Sequence, residues 1–132
     1  MKVSTLTGDA YEWKLPRRNK RKTSSYHKIA KQILKELYPN FSIYEETPIL
    51  IKRRKTLFLD FYIKNLNLAI EIHGIQHYTF SSLFHETKLD FLKQRQNDQL
   101  KQEWCELNNI SFLPLDYREE QEWSIQIKNY EY

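Results

Sequence analysis

Residues 57–78 read LFLDFYIKNLNLAIEIHGIQHY, which are two apolar runs separated by the polar stretch Lys64–Asn67. β-Branched and aromatic residues are frequent in both runs, and such runs around a short polar connection are typical of two adjacent strands. We therefore expect one strand at residues 56–63, a second at 68–72, and a turn between them. Each strand carries one carboxylate among apolar neighbours, Asp60 in the first and Glu71 in the second.

The expected register brings these two carboxylates together. Side chains alternate between the faces of a strand, so Asp60 shares a face with Tyr62, and Glu71 shares a face with His73. A turn of two or four residues centred on Asn65-Leu66 places Asp60 directly opposite Glu71. A turn with an odd number of residues would break that pairing.

A divalent cation would explain why two acids face each other. Like charges directly opposite on a sheet are destabilising. Mg²⁺ commonly takes one or two carboxylates and completes its shell with waters and a substrate phosphate. We therefore expect Mg²⁺ at Asp60 and Glu71, with Mn²⁺ as an alternative. In the competing interpretation both carboxylates point into solvent, because alternating polar residues are ordinary on a half-exposed sheet.

Three polar side chains follow the second acid, in the segment His73-Gly74-Ile75-Gln76-His77. His73, Gln76 and His77 can donate or accept hydrogen bonds, and histidine exchanges protons near neutral pH. A zinc site formed by Glu71, His73 and His77 is the rival interpretation. The lack of further cysteines or histidines nearby argues against structural zinc.

Two longer helices are expected on either side of these strands. The first begins after Ser24 or Ser25 as N-cap and stops after Tyr38, because Pro39 follows. The second spans residues 85–108. Apolar residues at helical spacing define one buried face of each helix: Tyr26, Ile29, Ala30, Ile33, Leu34 and Leu37 in the first, and Leu89, Leu92, Leu100, Trp104 and Leu107 in the second.

The remaining segments complete a mixed sheet. Residues 41–51 predict an irregular or edge strand, because Pro48 cannot donate to a sheet ladder. Residues 110–115 predict a last core strand, and residues 119–129 predict a short helix. Helix, strands, helix and strand in this order predict an α/β fold with a mixed β-sheet flanked by helices.

The composition fits one compact intracellular domain. The chain has 132 residues, of which 40% are hydrophobic and 14% aromatic, enough for a single core. Its one cysteine, Cys105, cannot form an internal disulfide, which favours a reducing compartment. No stretch approaches the roughly 20 apolar residues of a membrane span, and the start lacks an apolar signal core. We expect a cytoplasmic protein without a membrane partner, in the host cytoplasm if it is phage-encoded.

Basic residues are clustered, although the formal net charge is only +4. Residues 1–23 are expected to form a basic N-terminal arm that is ordered only on a partner, and residues 24–132 the domain itself. Clustered Lys and Arg suit a phosphate backbone, whereas the alternative is a solvated basic tail. The residues expected to bind DNA in these clusters are Arg17, Arg18, Lys20, Arg21, Lys22, Lys52, Arg53, Arg54 and Lys55.

These motifs resemble the PD-(D/E)xK, or restriction-endonuclease-like, nucleases. Asp60 followed by Glu-x-His-Gly at 71–74 matches their Asp…Glu-x-Lys pattern, with His73 in the lysine position. The likeness is closer to the branch of very-short-patch repair endonucleases and related phage and homing endonucleases. It covers roughly residues 24–116 and includes Gln-His-Tyr at 76–78, Phe84-His85, and a stretch with Asp98, Lys101, Trp104, Cys105, Asn108 and Ile110.

The resemblance implies a restriction-endonuclease-like core and specific roles. Asp60 and Glu71 would hold the metal, and His77 would activate water with Asp98 as its supporting acid. Lys101 would join the residues that contact DNA. Helical periodicity alone places Asp98 opposite the leucine stripe, in solvent, so its role depends on the resemblance.

Two departures from the family pattern affect activity. Relatives carry a glutamate early in the first helix, where this chain has His27, a residue that flanks the apolar face and can still reach a cleft. The lysine absent from position 73 leaves transition-state charge to His73, Gln76 or the metal.

The sequence thus predicts a metal-dependent DNA endonuclease that nicks DNA or cuts at particular structures or sites. Duplex, mismatched and branched DNA all stay open as substrates, and so do a monomer and a homodimer. The alternative is a catalytically degenerate nuclease-fold module that binds DNA or RNA. A third reading is an interaction protein whose basic arm docks on an acidic partner.

Overall fold

The computed structural model describes residues 1–17, 23–78, 85 and 87–130, without the side chain of Gln76. Four of the predicted DNA-binding residues, Arg18, Lys20, Arg21 and Lys22, lie outside this description. Nine regular elements occur in the described part: β1 (Lys2–Ser4), β2 (Ala10–Glu12), α1 (Ser25–Leu37), β3 (Ile43–Lys52), β4 (Lys55–Ile63), β5 (Leu68–His73), α2 (Lys88–Leu107), β6 (Ser111–Asp116) and α3 (Trp123–Lys128).

The larger sheet has the strand order β3-β4-β5-β6. β3 and β4 are antiparallel, as are β4 and β5, whereas β5 and β6 are parallel, so the sheet is mixed. α1 and α3 contribute to the core on one face, and α2 contributes to the core on the other. The predicted α/β fold with a mixed sheet is confirmed. β3 is the edge strand expected from Pro48.

The turn between β4 and β5 has the even length that the predicted register requires. Residues 64–67 connect the strands through a 3₁₀ turn (Lys64–Leu66), and Asn67 adopts a left-handed conformation with φ of 50°. The paired residues include Phe61 with Ile70 and Tyr62 with Ala69. Continuing this register by one residue places Asp60 opposite Glu71, as predicted.

α1 forms as the sequence predicts. The side chain of Ser24 caps the helix by accepting a hydrogen bond from the backbone N–H of His27 at 3.2 Å. The helix ends at Leu37, ahead of Pro39. Ala30 and Leu34 are fully buried against the sheet, and the same helix therefore holds His27 at a fixed place beside β4.

α2 differs from its prediction in where it begins. It starts at Lys88 rather than at residue 85, because Thr87 and Asp90 form a capping box. Thr87 accepts from the N–H of Asp90, and the Asp90 carboxylate accepts from the N–H of Thr87. The helix thus begins at the first position where its free N–H groups find side-chain partners.

The predicted apolar stripe of α2 is wrong for three of its five residues. Leu89 and Leu92 are each 59% exposed and Leu107 is 51% exposed, whereas Trp104 is fully buried. Only the C-terminal part of α2 covers the apolar core, through Trp104 and Cys105. The rest of the inward face carries polar side chains and lies over a cleft, so apolar periodicity gave the wrong orientation.

The N-terminal segment also differs from its prediction as an arm ordered only on a partner. β1 and β2 form an antiparallel hairpin, and Val3 and Trp13 are buried in the core. The Trp13 ring lies 4.6 Å from Tyr62 and 5.1 Å from Trp104, centroid to centroid, and its Nε1–H donates to the Pro48 carbonyl at 2.8 Å. Strands of three residues are too short for their alternation to be read from sequence.

Replacement of Trp13 by alanine should therefore destabilise the whole domain. We expect the free energy of unfolding to fall by about 3–5 kcal/mol, the usual loss for a buried aromatic residue. Urea unfolding followed by circular dichroism measures the change. Lys14→Ala, which alters the exposed neighbour, is the matched control. A loss below about 1 kcal/mol for Trp13→Ala would restore the interpretation of an unattached arm.

Cys105 is a free, buried cysteine on the core-facing side of α2. Burial raises the pKa of its thiol, so the neutral form is favoured.

Within the described part of the chain, no helix combines the length and the apolar character that a bilayer crossing requires.

Candidate metal and active site

A cleft of about 530 Å³ opens between the sheet, the start of α1 and the inward face of α2. β4 and β5 supply its two acids, and α1 and α2 supply side chains from either side. Five of the seven predicted catalytic residues meet here, and Lys101 joins them. The five are His27, Asp60, Glu71, His77 and Asp98.

Asp60 and Glu71 interrupt the hydrogen-bond ladder between β4 and β5. The backbone N–H of Asp60 donates to Glu71 Oε1 at 3.2 Å, and the N–H of Ile72 donates to Asp60 Oδ2 at 2.7 Å. Each carboxylate thus accepts a backbone N–H from the opposite strand. The two acids are held against each other by the sheet itself.

Glu71 is a buried acid in an electrostatically unfavourable place. It is only 1% exposed, which contradicts the interpretation in which both acids point into solvent. Burial and the adjacent Asp60 raise the pKa of Glu71 well above its ordinary value, and the Lys101 ammonium opposes this change. Lys101 Nζ lies 3.4 Å from each carboxylate oxygen of Glu71.

The donor set suits a hard divalent cation. Two carboxylates from adjacent strands face the cleft, and carboxylate oxygens are the ligands that Mg²⁺ and Mn²⁺ prefer. The two carboxylates repel each other, and a bound cation would neutralise their negative charge. Two histidine-containing groups also bring ligand atoms within 4.8 Å of one another: His73, His77 and Asp98, and His27, Glu46 and Asp60.

His77 has its proton placement defined by its neighbours. Its Nδ1 lies 2.7 Å from Asp98 Oδ2, while its Nε2 lies 3.4 Å from Gln94 Nε2. Gln94 Oε1 faces His85 Nε2 at 2.7 Å, so the amide group of Gln94 is directed towards His77. This network assigns the proton to Nδ1, which donates to Asp98, and leaves the Nε2 lone pair as acceptor.

The surroundings of His73 favour its neutral form. Its ring stacks on His77 at 4.5 Å between centroids, and burial and His77 lower the pKa of His73 below its ordinary value. Its Nε2 is buried without a hydrogen-bond partner among the described residues. His73 lines a separate hollow beside Pro114 and Asp116 rather than the acidic cleft. The Gln76 side chain, the other candidate, lies outside the described residues.

His27 connects Asp60 to a second acid. Its Nε2 lies 3.0 Å from Glu45 Oε1 and its Nδ1 lies 3.9 Å from Asp60 Oδ1, while the ring stacks on Phe61. Burial raises the pKa of Glu45, but the hydrogen bonds from Lys31 and His27 lower it by a larger amount. The net pKa of Glu45 is therefore below its ordinary value. Glu45 on β3 thus contacts His27, which occupies the position in α1 where the resemblance implies a glutamate.

Glu46 also lines the cleft and has a constrained backbone. Its φ of 47° is in the left-handed region, which a non-glycine residue rarely adopts. Backbone strain of this kind is concentrated at functional sites. Glu45, Glu46 and Gln94 were not predicted from the sequence. The only signal for Gln94 is its spacing with Asp98 and Lys101, which places three polar side chains on one helix face.

The predicted DNA-binding residues occupy two different environments. Residues 52–55 form the turn between β3 and β4, where Lys52, Arg53 and Arg54 are exposed, and Arg17 is exposed as well. Asp60 lies five residue steps along the extended strand from Lys55, a distance of about 17 Å. The side chain of Lys101, by contrast, is only 15% exposed and faces Glu71 inside the cleft, so its predicted contact with DNA would be made there rather than on the outer surface.

Divalent cations should stabilise the protein through Asp60 and Glu71. With free Ca²⁺ or Mn²⁺ about 100-fold above its dissociation constant, we expect the free energy of unfolding to rise by about 3 kcal/mol. Thermal unfolding with and without the ion measures this. Asp60→Asn keeps an oxygen acceptor for the Ile72 N–H and should abolish the shift. Glu103→Gln, an exposed change on α2, should keep it. An unchanged shift in Asp60→Asn would refute the site.

Comparison with known proteins identifies viral relatives of part of the chain. No family model matches, and no solved structure matches. The chain is 38% identical over 61 residues to uncharacterized protein 307L of Invertebrate iridescent virus 6, covering 46% of this chain and 31% of that protein. It is 38% identical over 64 residues to uncharacterized protein 094L of Frog virus 3 (isolate Goorha), covering 48% and 41%.

A third relative is uncharacterized protein 033L of Invertebrate iridescent virus 3, with 31% identity over 61 residues, again covering 46% of this chain and 31% of that protein. The chain therefore spans less than half the length of the curated relatives it matches, and their names state no activity.

Proposed function

We propose that this protein is a metal-dependent endonuclease that hydrolyses phosphodiester bonds of DNA. The observation that carries the proposal is the meeting of two pairs in one cleft. Asp60 and Glu71 form a carboxylate pair, and His77 and Asp98 form a histidine–aspartate pair. Metal-assisted hydrolysis needs both an acidic metal site and a group that takes a proton from water.

We also propose that the fold is a restriction-endonuclease-like core. The order α1, β3, β4, β5, α2, β6, with β6 parallel to β5, provides the α/β scaffold that the resemblance implies. In that scaffold the Asp…Glu-x-x pattern belongs on two adjacent central strands. Asp60 on β4 and Glu71 on β5 meet this requirement.

Asp60 and Glu71 would hold Mg²⁺ or Mn²⁺. When bound, the ion supplies Lewis-acid polarisation of the scissile phosphate and a lower pKa for water. The two side chains are already oriented, because backbone N–H groups of the opposite strand fix one oxygen of each. His27, in turn, contacts Asp60 and limits its rotation.

His77 would accept the proton of the attacking water at Nε2. Asp98 is a positioning residue, because its contact with Nδ1 selects the tautomer in which Nε2 is unprotonated. As Nε2 takes the proton, the imidazolium that forms is stabilised by the Asp98 carboxylate 2.7 Å away. The stacked ring of His73, 4.5 Å away between centroids, leaves His77 little freedom to turn.

The exposed basic turn at 52–55 and Arg17 would hold the DNA backbone. Contacts of this kind provide affinity without sequence information and weaken as salt rises. The β3–β4 hairpin carries the turn at its end and lines the cleft through Thr56, Leu57 and Phe58. One nucleic-acid strand could thus contact both the turn and the acids.

Asp60→Asn should remove cleavage and leave DNA binding intact. The substrates are supercoiled plasmid, mismatched duplex and branched DNA, each with Mg²⁺ or Mn²⁺ and with EDTA. We expect the wild type to cut at least one of them and Asp60→Asn to cut none, because the metal loses a charged ligand. Binding is measured in Ca²⁺ by electrophoretic mobility shift.

Glu103→Gln is the control and should cut as the wild type does. Full Mg²⁺-dependent cleavage by Asp60→Asn would overturn the metal assignment. Binding by the wild type without cleavage of any substrate would favour the degenerate DNA- or RNA-binding module. Absence of salt-sensitive DNA binding would instead favour an interaction protein with an acidic partner.

The His77–Asp98 pair should act as one unit. His77→Ala should slow single-turnover cleavage by about 100- to 10,000-fold, the usual contribution of a general base. Asp98→Asn should also slow cleavage, since an amide can donate to Nδ1 and favour the wrong tautomer. The double variant should be no slower than His77→Ala alone. Additive losses would show that Asp98 acts independently of His77.

A further inference from the structure

Lys101 is a largely buried cation that lines the cleft. It projects from the inward face of α2, its side chain is 15% exposed, and its Nζ is 3.4 Å from both oxygens of Glu71. The sequence pattern places the family's lysine at position 73, two residues beyond the acid, where this chain has His73, whose ring stacks on His77. A lysine is therefore present at the acidic pair, but a helix supplies it.

Three carboxylates line the same cleft as Lys101. They belong to Asp60, Glu71 and Asp98, and Glu71 is in direct contact with the Lys101 Nζ. A buried ammonium is tolerated only when carboxylates compensate for its lost hydration. Its closest acid, Glu71, is one that a divalent cation would need, so ammonium and cation compete for the same oxygens.

We propose, on the basis of the proposed function, that Lys101 is the countercation of Asp60 and Glu71 before a metal binds and the transition-state cation afterwards. Once a divalent ion neutralises the two acids, the ammonium is no longer required at Glu71. The lysine side chain is long and flexible, and it lines the same cleft as His77. Its ammonium then neutralises charge on the scissile phosphate, the task that the family pattern gives to the lysine missing from position 73.

This role predicts opposite effects of Lys101 on metal affinity and on rate. A residue that only supports the fold would reduce both, and a residue that contacts the DNA backbone would reduce DNA affinity. A countercation weakens metal binding by occupying the site, and a transition-state cation accelerates cleavage. Removal of the Lys101 charge should therefore tighten metal binding and slow cleavage.

The experiment compares Lys101→Met, Lys101→Arg and Lys93→Met in the full chain. Lys93 is exposed on the same helix, so Lys93→Met controls for the loss of one positive charge. Calorimetric titration with Ca²⁺ and Mn²⁺, without DNA, gives the metal affinity at pH 8. Mobility shift in Ca²⁺ gives the DNA affinity, and single-turnover cleavage in Mg²⁺ gives the rate.

For Lys101→Met we expect metal binding on the order of tenfold tighter, because a competing charge at close range is removed. Cleavage should slow by at least about 100-fold, as for loss of one preorganised electrostatic contact. DNA affinity should remain within about twofold of the wild type. The metal affinity and the cleavage rate of Lys101→Arg should lie between those of Lys101→Met and the wild type. Those of Lys93→Met should match the wild type.

Weaker metal binding in Lys101→Met would overturn the countercation role, and unimpaired cleavage would overturn the transition-state role. A loss confined to DNA affinity would return Lys101 to a backbone contact. If the wild type cuts no substrate, the transition-state role fails together with the proposed function, while calorimetry still decides the countercation role. If Lys101→Met is unfolded, adding Glu71→Gln should restore folding, and failure to do so would refute the charge pairing.

Discussion

The pairing of β4 with β5 determines the organisation of this protein, because the regular ladder ends at a pair of acids. β4 and β5 are joined by a regular ladder through Phe61 and Ile70, and at the next position carboxylates replace backbone carbonyls as acceptors. The ladder fixes the distance between Asp60 and Glu71 more firmly than flexible side chains could. It also imposes an electrostatic cost, because two like charges are held together with little water around them. The surrounding elements supply the compensation, chiefly Lys101 from α2.

α2 shows how such a site changes the usual distribution of residues in a helix. A helix on a sheet normally buries its apolar face, yet here Leu89 and Leu92 are exposed, and Asp98 and Lys101 face the protein. Apolar burial near Trp104 and Cys105 anchors the C-terminal part of the helix. The N-terminal part can therefore carry polar side chains over the cleft. Natural proteins break local rules of this kind mainly at functional sites.

Three histidines near the acids differ through their surroundings alone. His27 lies between two carboxylates, whereas His73 is half-buried, has a lowered pKa and stacks on His77. His77 has one nitrogen held by Asp98 and the other directed towards the amide of Gln94. His77, the proposed proton acceptor, has a carboxylate at one ring nitrogen and an amide group at the other, whereas both ring nitrogens of His27 face carboxylates. Residue type alone does not distinguish them.

The sequence by itself determined the local structure around the acids, because strand alternation and a four-residue turn fix which residues of β4 and β5 face each other. It also predicted α1 and the edge position of β3, since caps and prolines act within a few residues. Asp98 was found only through family resemblance. Tertiary structure alone decided that Trp13 completes the core and that α2 presents Lys101 to Glu71. Both depend on contacts between segments distant along the chain, and the orientation of a helix follows its apolar stripe only where the surface beneath it is apolar.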